Sequence, residues 1–534
     1  MFMLHYDKAT GENCPVSERL RAKLVTIGKD QSIFIGLICL HLLPIWLFPF
    51  FPTQDGISHV YNAHVLCEYR NPTYHFQDFY DINWSFFPNW LSHFGLAILM
   101  RLFSPLLAEK FFLSAYVILF PCAISYFINS FNTEKLGLST WLSFFFIYNY
   151  LFLMGFYNYA VGVSLFFLIL GFWWRYKEKL GLNRILILNL LFLITYFSHL
   201  VPYVFALGSI GLLSLLALCQ KPRLLLRNFL ALLLPTSLLL YYLPTSDLFR
   251  TSSPKISFDR VGILLSDFLN LRILVAFDNQ QEIIAKMVMA ILVFYVLYSF
   301  WQESRQIIHK GQWLSTPSLL VLILFFSLFF QYLVYPNSVG PGGWLNDRIA
   351  ILSVIVLLAG LAPIEQKWMR QVFGFIVLTT VILNLTNLSV SCYRLNEEIK
   401  EFNALTDKIG ENKVLLPLFF DSNGSAKRIG IFVNGASYYC LSNGGINLGN
   451  YEVQFDYFPI NFKSSFQPPV DDKEWVQAVH WEKDRIDLCG YVQHVNYVLT
   501  WGNPDPNTAQ ALSDCYKLIH DQGRLKLYRG QRSQ

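Results

Sequence analysis

About eleven apolar runs occupy the first 390 residues, each near the ~20 residues an α-helix needs to cross a bilayer. They fall near residues 33–51, 111–130, 139–154, 159–174, 184–199, 200–218, 226–244, 283–301, 317–335, 348–363 and 372–390. A backbone inside lipid must satisfy its own hydrogen bonds, so runs of this length fold as helices or do not span. The composition agrees: 54% of the 534 residues are hydrophobic and only 14% are charged, far from soluble globular proportions. The expected fold class is a polytopic α-helical membrane protein with about eleven transmembrane helices.

The loops give this bundle a direction. A polar segment with Arg19, Arg21 and Lys23 precedes the first run, which is too long for a signal-peptide core and is expected to stay as an anchor. The N-terminus is then cytoplasmic. With alternating spans, the basic loops at Arg175 to Lys179, Lys221 to Arg227, Arg305 to Lys310 and Lys367 to Arg370 share that side. Parity fails if residues 90–104 also cross. That segment, with Trp90, His93 and Arg101, is therefore expected to be a juxtamembrane helix. The net charge of +5 sits in short clusters, which suits the positive-inside pattern and excludes a nucleic-acid surface.

After residue 390 the chain turns polar. Strand-like runs begin at Lys413, Val495 and Leu525, so 391–534 is expected to be a soluble α/β domain. An odd number of crossings from a cytoplasmic start puts that domain in the periplasm or extracellular space, packed on the membrane domain 1–390. Its cysteines Cys392, Cys440, Cys489 and Cys515 could pair there or remain thiols. Cys39, Cys122 and Cys219, in apolar runs, are expected in core packing. No CxxC pair suggests a zinc ribbon or thioredoxin-type site.

The first external loop, 52–110, opens on Gln54-Asp55-Gly-Ile-Ser-His59-Val-Tyr-Asn62-Ala-His64. An ionisable group where a spanning helix surfaces is costly to desolvate and points to function, although Asp55 could simply cap the next helix. Asp55, His59 and Asn62 recur at helical spacing on one face, with His64 off it. Asp55 can serve as a general base. Asp55 and His59 could also begin a divalent-metal site, but two ligands do not make one. More polar residues stand at the ends of later spans on the same side: Asn158, His199, and Asp347 with Arg348. Singly they read as turn formers, a hairpin histidine, a helix cap and a snorkelling arginine. Together they outline a pocket between water and lipid. The stretches Asn434 to Tyr439, Gly444-Gly445 and Asn450-Tyr451-Glu452 read as loop packing or a sugar contact.

An amino-terminal span, an acidic residue opening a long external loop, many further spans and an external soluble domain resemble the GT-C class of integral membrane glycosyltransferases. That class includes the protein O-mannosyltransferases and the lipid A aminoarabinose transferase. The resemblance rests on architecture and on Asp55 in Gln54-Asp55-Gly56-Ile57-Ser58-His59. It implies a sugar donor carried on polyprenyl phosphate, a glycan, lipid or protein acceptor, and Asp55 as catalytic base. It also implies inversion at the anomeric carbon and a place in a plasma membrane, the inner one in bacteria. Arg348 is expected to hold the donor phosphate, with His59, Asn62, Asn158, His199 and Asp347 positioning substrates. Where many members carry a second acid, this chain has Asn158, so no metal ligands are assigned and a divalent metal stays only an open option. The competing functions are a transporter or flippase for a lipid-linked or saccharide substrate, and a non-catalytic assembly subunit. Polar residues gathered at one membrane face, and no repeated halves, argue for the enzyme.

Overall fold

The computed structural model describes residues 28–131, 137–246, 256–310, 316–340, 342–466 and 472–531. Arg19, Arg21 and Lys23 lie outside the described residues. The expected spans appear as helices: α1 (Lys29–Trp46), α4 (Pro105–Phe131), α5 (Tyr157–Tyr176), α6 (Leu182–Ser198), α7 (Leu200–Leu218), α8 (Pro222–Ala231) with α9 (Leu233–Thr245), α10 (Asn279–Lys310), α11 (Thr316–Val334), α12 (Leu345–Leu358) and α13 (Lys367–Phe402), with short turns over Leu138–Leu153. In the first loop lie α2 (Gly56–Glu68) and α3 (Trp90–Met100). Among the described residues, six helices are long and apolar enough to cross a membrane, or seven if the 45° bent pair α8 and α9 is one span. The count of eleven is therefore not reached on length and composition. Helix α6 has 17 residues, α12 has 14 and the Leu138–Leu153 segment is broken into short turns.

The bundle is organised around α5, which packs along α4, α6 and α7. Close approach to α4 needs a small residue: a Cβ on Gly171 would stand 3.0 Å from the Phe127 Cα. Helix α3, at 11 residues, is too short to span. It exposes Phe94 and Ile98 and buries Ser92 and His93, as expected of a helix lying along an interface. Cys39, Cys122 and Cys219 are exposed rather than in the core. The outer face of a membrane helix meets lipid, where an apolar thiol costs nothing.

Helix α13 continues through residue 390 to Phe402 and leads the chain into a five-stranded sheet of order β5-β4-β7-β9-β8. Its strands are β4 (Val414–Phe419), β5 (Ile446–Asn447), β7 (Tyr497–Trp501), β8 (Tyr516–Gln522) and β9 (Leu525–Gly530). Strand β4 runs parallel to β5 and β7, and β7, β9 and β8 follow antiparallel. All six β4 residues are buried, which explains its unbroken apolar run. Pro417 is tolerated there because β5 pairs only with Val414 and Leu415, leaving that edge free at 417. Cys489 and Cys515 form a disulfide, while Cys392 and Cys440 are buried thiols.

The C-terminal region is sewn to the first loop. Strand β1 (Tyr80–Ile82) pairs antiparallel with β6 (Ile460–Phe462), while the two-residue strands β2 (Ile256–Ser257) and β3 (Ser338–Val339) pair with each other between the helices. The Asn83 amide donates to the Asp456 carbonyl at 2.7 Å, and the Tyr61 hydroxyl to the Gly445 carbonyl at 2.8 Å.

Candidate active site

Asp55 is fixed first through its backbone. The Gln54 and Asp55 N–H groups donate to the Leu153 and Met154 carbonyls at 3.2 and 3.0 Å. This close crossing is possible because Gly155 follows: it has φ +87°, and a Cβ there would lie 2.4 Å from the Gly56 nitrogen. Asp55 precedes α2, yet its carboxylate makes no capping bond to that helix. Its Oδ1 instead accepts from the Gln54 amide at 3.2 Å and the Asn434 amide at 3.0 Å. Burial pushes the Asp55 carboxyl up to about 7, against the opposing pull of His59 and the two amides. That value suits a group that takes a proton near neutrality.

The α2 face predicted from spacing is real, and all three of its polar side chains meet the C-terminal region. Asp55 meets Asn434; His59 Nδ1 lies 2.8 Å from Glu452 Oε1; Asn62 and Asn450 exchange amide hydrogen bonds of 3.1 and 2.7 Å. The expectation that Asn62 positions substrate is therefore corrected: its amide is fully buried and engaged with Asn450. His59 Nδ1 is turned to Glu452 rather than to Asp55. The second oxygen of Glu452 reaches His93 Nε2 at 2.7 Å. Burial works to raise the Glu452 carboxyl, but the His93 and His59 imidazoles outweigh it and hold it well below the ordinary carboxylate range.

Across from Asp55 stand the ends of the later spans. Asn158 accepts from the Ser92 N–H at 2.7 Å and donates to the Asn89 carbonyl at 2.9 Å. It thus ties the start of α3 to α5 while forming part of the cavity wall. His199 caps α7: its Nδ1 accepts from the Val201 N–H at 3.1 Å. A neutral ring with an accepting Nδ1 carries its proton on Nε2, and Nε2 faces the Arg348 guanidinium at 3.1 Å. Two donors therefore point at one another. Arg348 also lies over the Phe156 and Tyr159 rings, and its Nε is buried with no partner among the described residues. Asp347 does not join this group; it lines a separate crevice with Asp267 and Arg272.

Asp55, His59, Asn158, His199 and Arg348 line one cavity of about 650 Å³, large enough for a sugar and part of its carrier. The C-terminal region supplies the opposite wall, notably Tyr451, Tyr457, Phe458 and His480. Four residues here do more than the sequence suggested. His93 looked interfacial, and Asn434, Tyr451 and Glu452 looked like loop packing or a sugar contact. The polar Asn-Tyr-Glu run just after Gly449 was the available signal, and its meaning depended on a partner about 390 residues earlier.

The chain is thus a polytopic membrane protein with a GT-C-like fold. It is similar in structure to ArnT from Cupriavidus metallidurans in the apo state, with a TM-score of 0.53 at 9% identity over 94% of this chain and 98% of that chain. No family model matches the sequence, and no curated protein matches it either.

Proposed function

We propose that the protein is an inverting membrane glycosyltransferase that moves a sugar from a polyprenyl-phosphate donor to a lipid, glycan or protein acceptor at the outer membrane face. The observation that carries this reading is a buried carboxylate, Asp55, and a guanidinium, Arg348, whose Nε has no partner among the described residues, lining one cavity. Fold likeness to ArnT, a lipid A aminoarabinose transferase, supports the same class. In this reaction Asp55 takes the proton of the acceptor hydroxyl or amine as that atom bonds to the anomeric carbon. The bond from that carbon to the phosphate oxygen breaks, and the polyprenyl phosphate leaves as an anion. Arg348 and the Nε2–H of His199 receive its oxygens, which resolves the two facing donors. His59 and Asn158 shape the wall around the sugar; Asp347, in its own crevice, steadies the α12 start rather than touching substrate.

The two-part organisation, a membrane domain to about residue 390 and an external α/β domain beyond, belongs to the same reading. A cytoplasmic N-terminus and an inner-membrane location are supported by the basic loops: Lys221 and Arg227 both reach Glu178, gathering two of them at one end. The Cys489–Cys515 disulfide favours an oxidising compartment for the C-terminal region. The test is transfer from a panel of radiolabelled polyprenyl-phosphate sugars by purified protein in lipid. Wild type should transfer one of them and Asp55→Asn should not. A folded wild type that transfers none, or an Asp55→Asn variant that matches wild type, refutes the reading.

A further inference from the structure

The His59, His93 and Glu452 cluster gathers three side chains of metal-ligating type in the interior. All three side chains are buried, and one ligand atom from each lies within 4.8 Å of the others. His93 Nδ1 stands 3.2 Å from the Asn89 carbonyl. A carbonyl can only accept, so Nδ1 carries the proton, and the neutral ring presents a lone pair at Nε2. That lone pair faces a Glu452 carboxylate oxygen at 2.7 Å. Two acceptors at this separation require a cation between them, either a proton or a metal ion. Glu452 Oε1 lies 2.8 Å from His59 Nδ1, so the one carboxylate spans both imidazoles.

We propose that His59, His93 and Glu452 bind one divalent transition-metal ion, with zinc the best match, which staples the C-terminal region to the first loop. Two imidazoles and one carboxylate are a zinc ligand set, with a fourth tetrahedral position left for water or a substrate oxygen. The carbonyl behind His93 fixes the ring tautomer as the supporting partner of a metal-bound histidine does. The ligands come from three separate elements, α2, α3 and the loop before β6, so the ion would join parts of the chain that no covalent link holds. Asp55 is not a ligand; its carboxylate is taken by Asn434 and Gln54. The proposal does not depend on sugar transfer, since metal content is read without turnover.

The test uses the full chain, purified in detergent through a tag without histidines and without chelator. Elemental mass spectrometry should find one zinc ion per chain, and zinc-edge X-ray absorption should show nitrogen and oxygen neighbours with imidazole scattering. Wild type stripped by chelator should rebind one equivalent in zinc-buffered dialysis and unfold at a higher temperature once reloaded. His93→Gln and Glu452→Gln should each weaken zinc binding by about tenfold or more. Stripped wild type that rebinds no zinc would mean that protons alone bridge the cluster and would overturn the proposal. So would sulfur neighbours at the zinc edge, or folded variants that bind zinc as wild type does. If the variants do not fold, the stripping, reloading and absorption measurements on wild type decide the matter.

Discussion

Replacing Asp55 with Asn should abolish transfer and make the protein more stable, and the size of the gain can be worked from the site. Burial moves the carboxyl from 3.8 to about 7 in the folded protein, about three units, and at 1.36 kcal/mol per unit this is about 4 kcal/mol. The sign follows from proton binding. Between about pH 4 and about pH 7 the folded state holds a proton that the unfolded state has lost, so wild-type stability falls as pH rises through that window and levels off above it. Asn is almost the same shape and carries no charge. Its oxygen can keep accepting from the Asn434 amide, and its NH₂ can serve Asn434 Oδ1, which is buried without a partner among the described residues. The advantage of Asp55→Asn should therefore be small near pH 4, grow through the window, and reach about 4 kcal/mol above pH 7. Thermal unfolding of both proteins in detergent across that range, followed by intrinsic fluorescence, measures it. Parallel stability profiles would show that Asp55 is not held up by desolvation and would refute the reasoning.

Arg348→Met should lower kcat/KM by about a hundredfold or more, as loss of a charge-stabilising donor does. Arg348→Lys should recover only part of this, since an ammonium lacks the guanidinium fork; transfer kinetics with a fixed donor read both. Asn62→Ala and Asn450→Ala each strand a buried amide and should cost about 1–3 kcal/mol. The double variant should cost less than the sum, a coupling that denaturant unfolding can measure. Cys489 and Cys515 should appear as one linked peptide pair in non-reducing mass spectrometry. Replacing both with Ser should cost about 3 to 4 kcal/mol, from the 26-residue separation they close.

Much of the fold could be read from local pattern. Apolar runs became helices near their expected positions, and the run from Val414 became a strand because a doubly buried strand and its sequence carry the same signature. Strand β8 was missed since only one of its seven residues, Tyr516, is buried, too few to leave an apolar trace. At the site, Asp55 and Arg348 were legible because each is a charge at the mouth of an apolar helix. Asn62 misled because helical spacing reports a shared face but not what covers it. His93 and Glu452 were illegible for a related reason: their meaning lies in a contact between positions 359 residues apart, and no local pattern encodes a partner so distant.

The three ties along α2 also bear on how the protein is made. Asp55, His59 and Asn62 meet partners 379, 393 and 388 residues further along the chain. A ribosome that has inserted every membrane helix through α13 has still not delivered Asn434, Asn450 or Glu452. Until then the cavity lacks a wall, and the polar face of α2 has nothing to bind. The last stretch to be synthesised thus completes the fold: a chain stopped short of it leaves the polar face of α2 uncovered and the cavity open on one side.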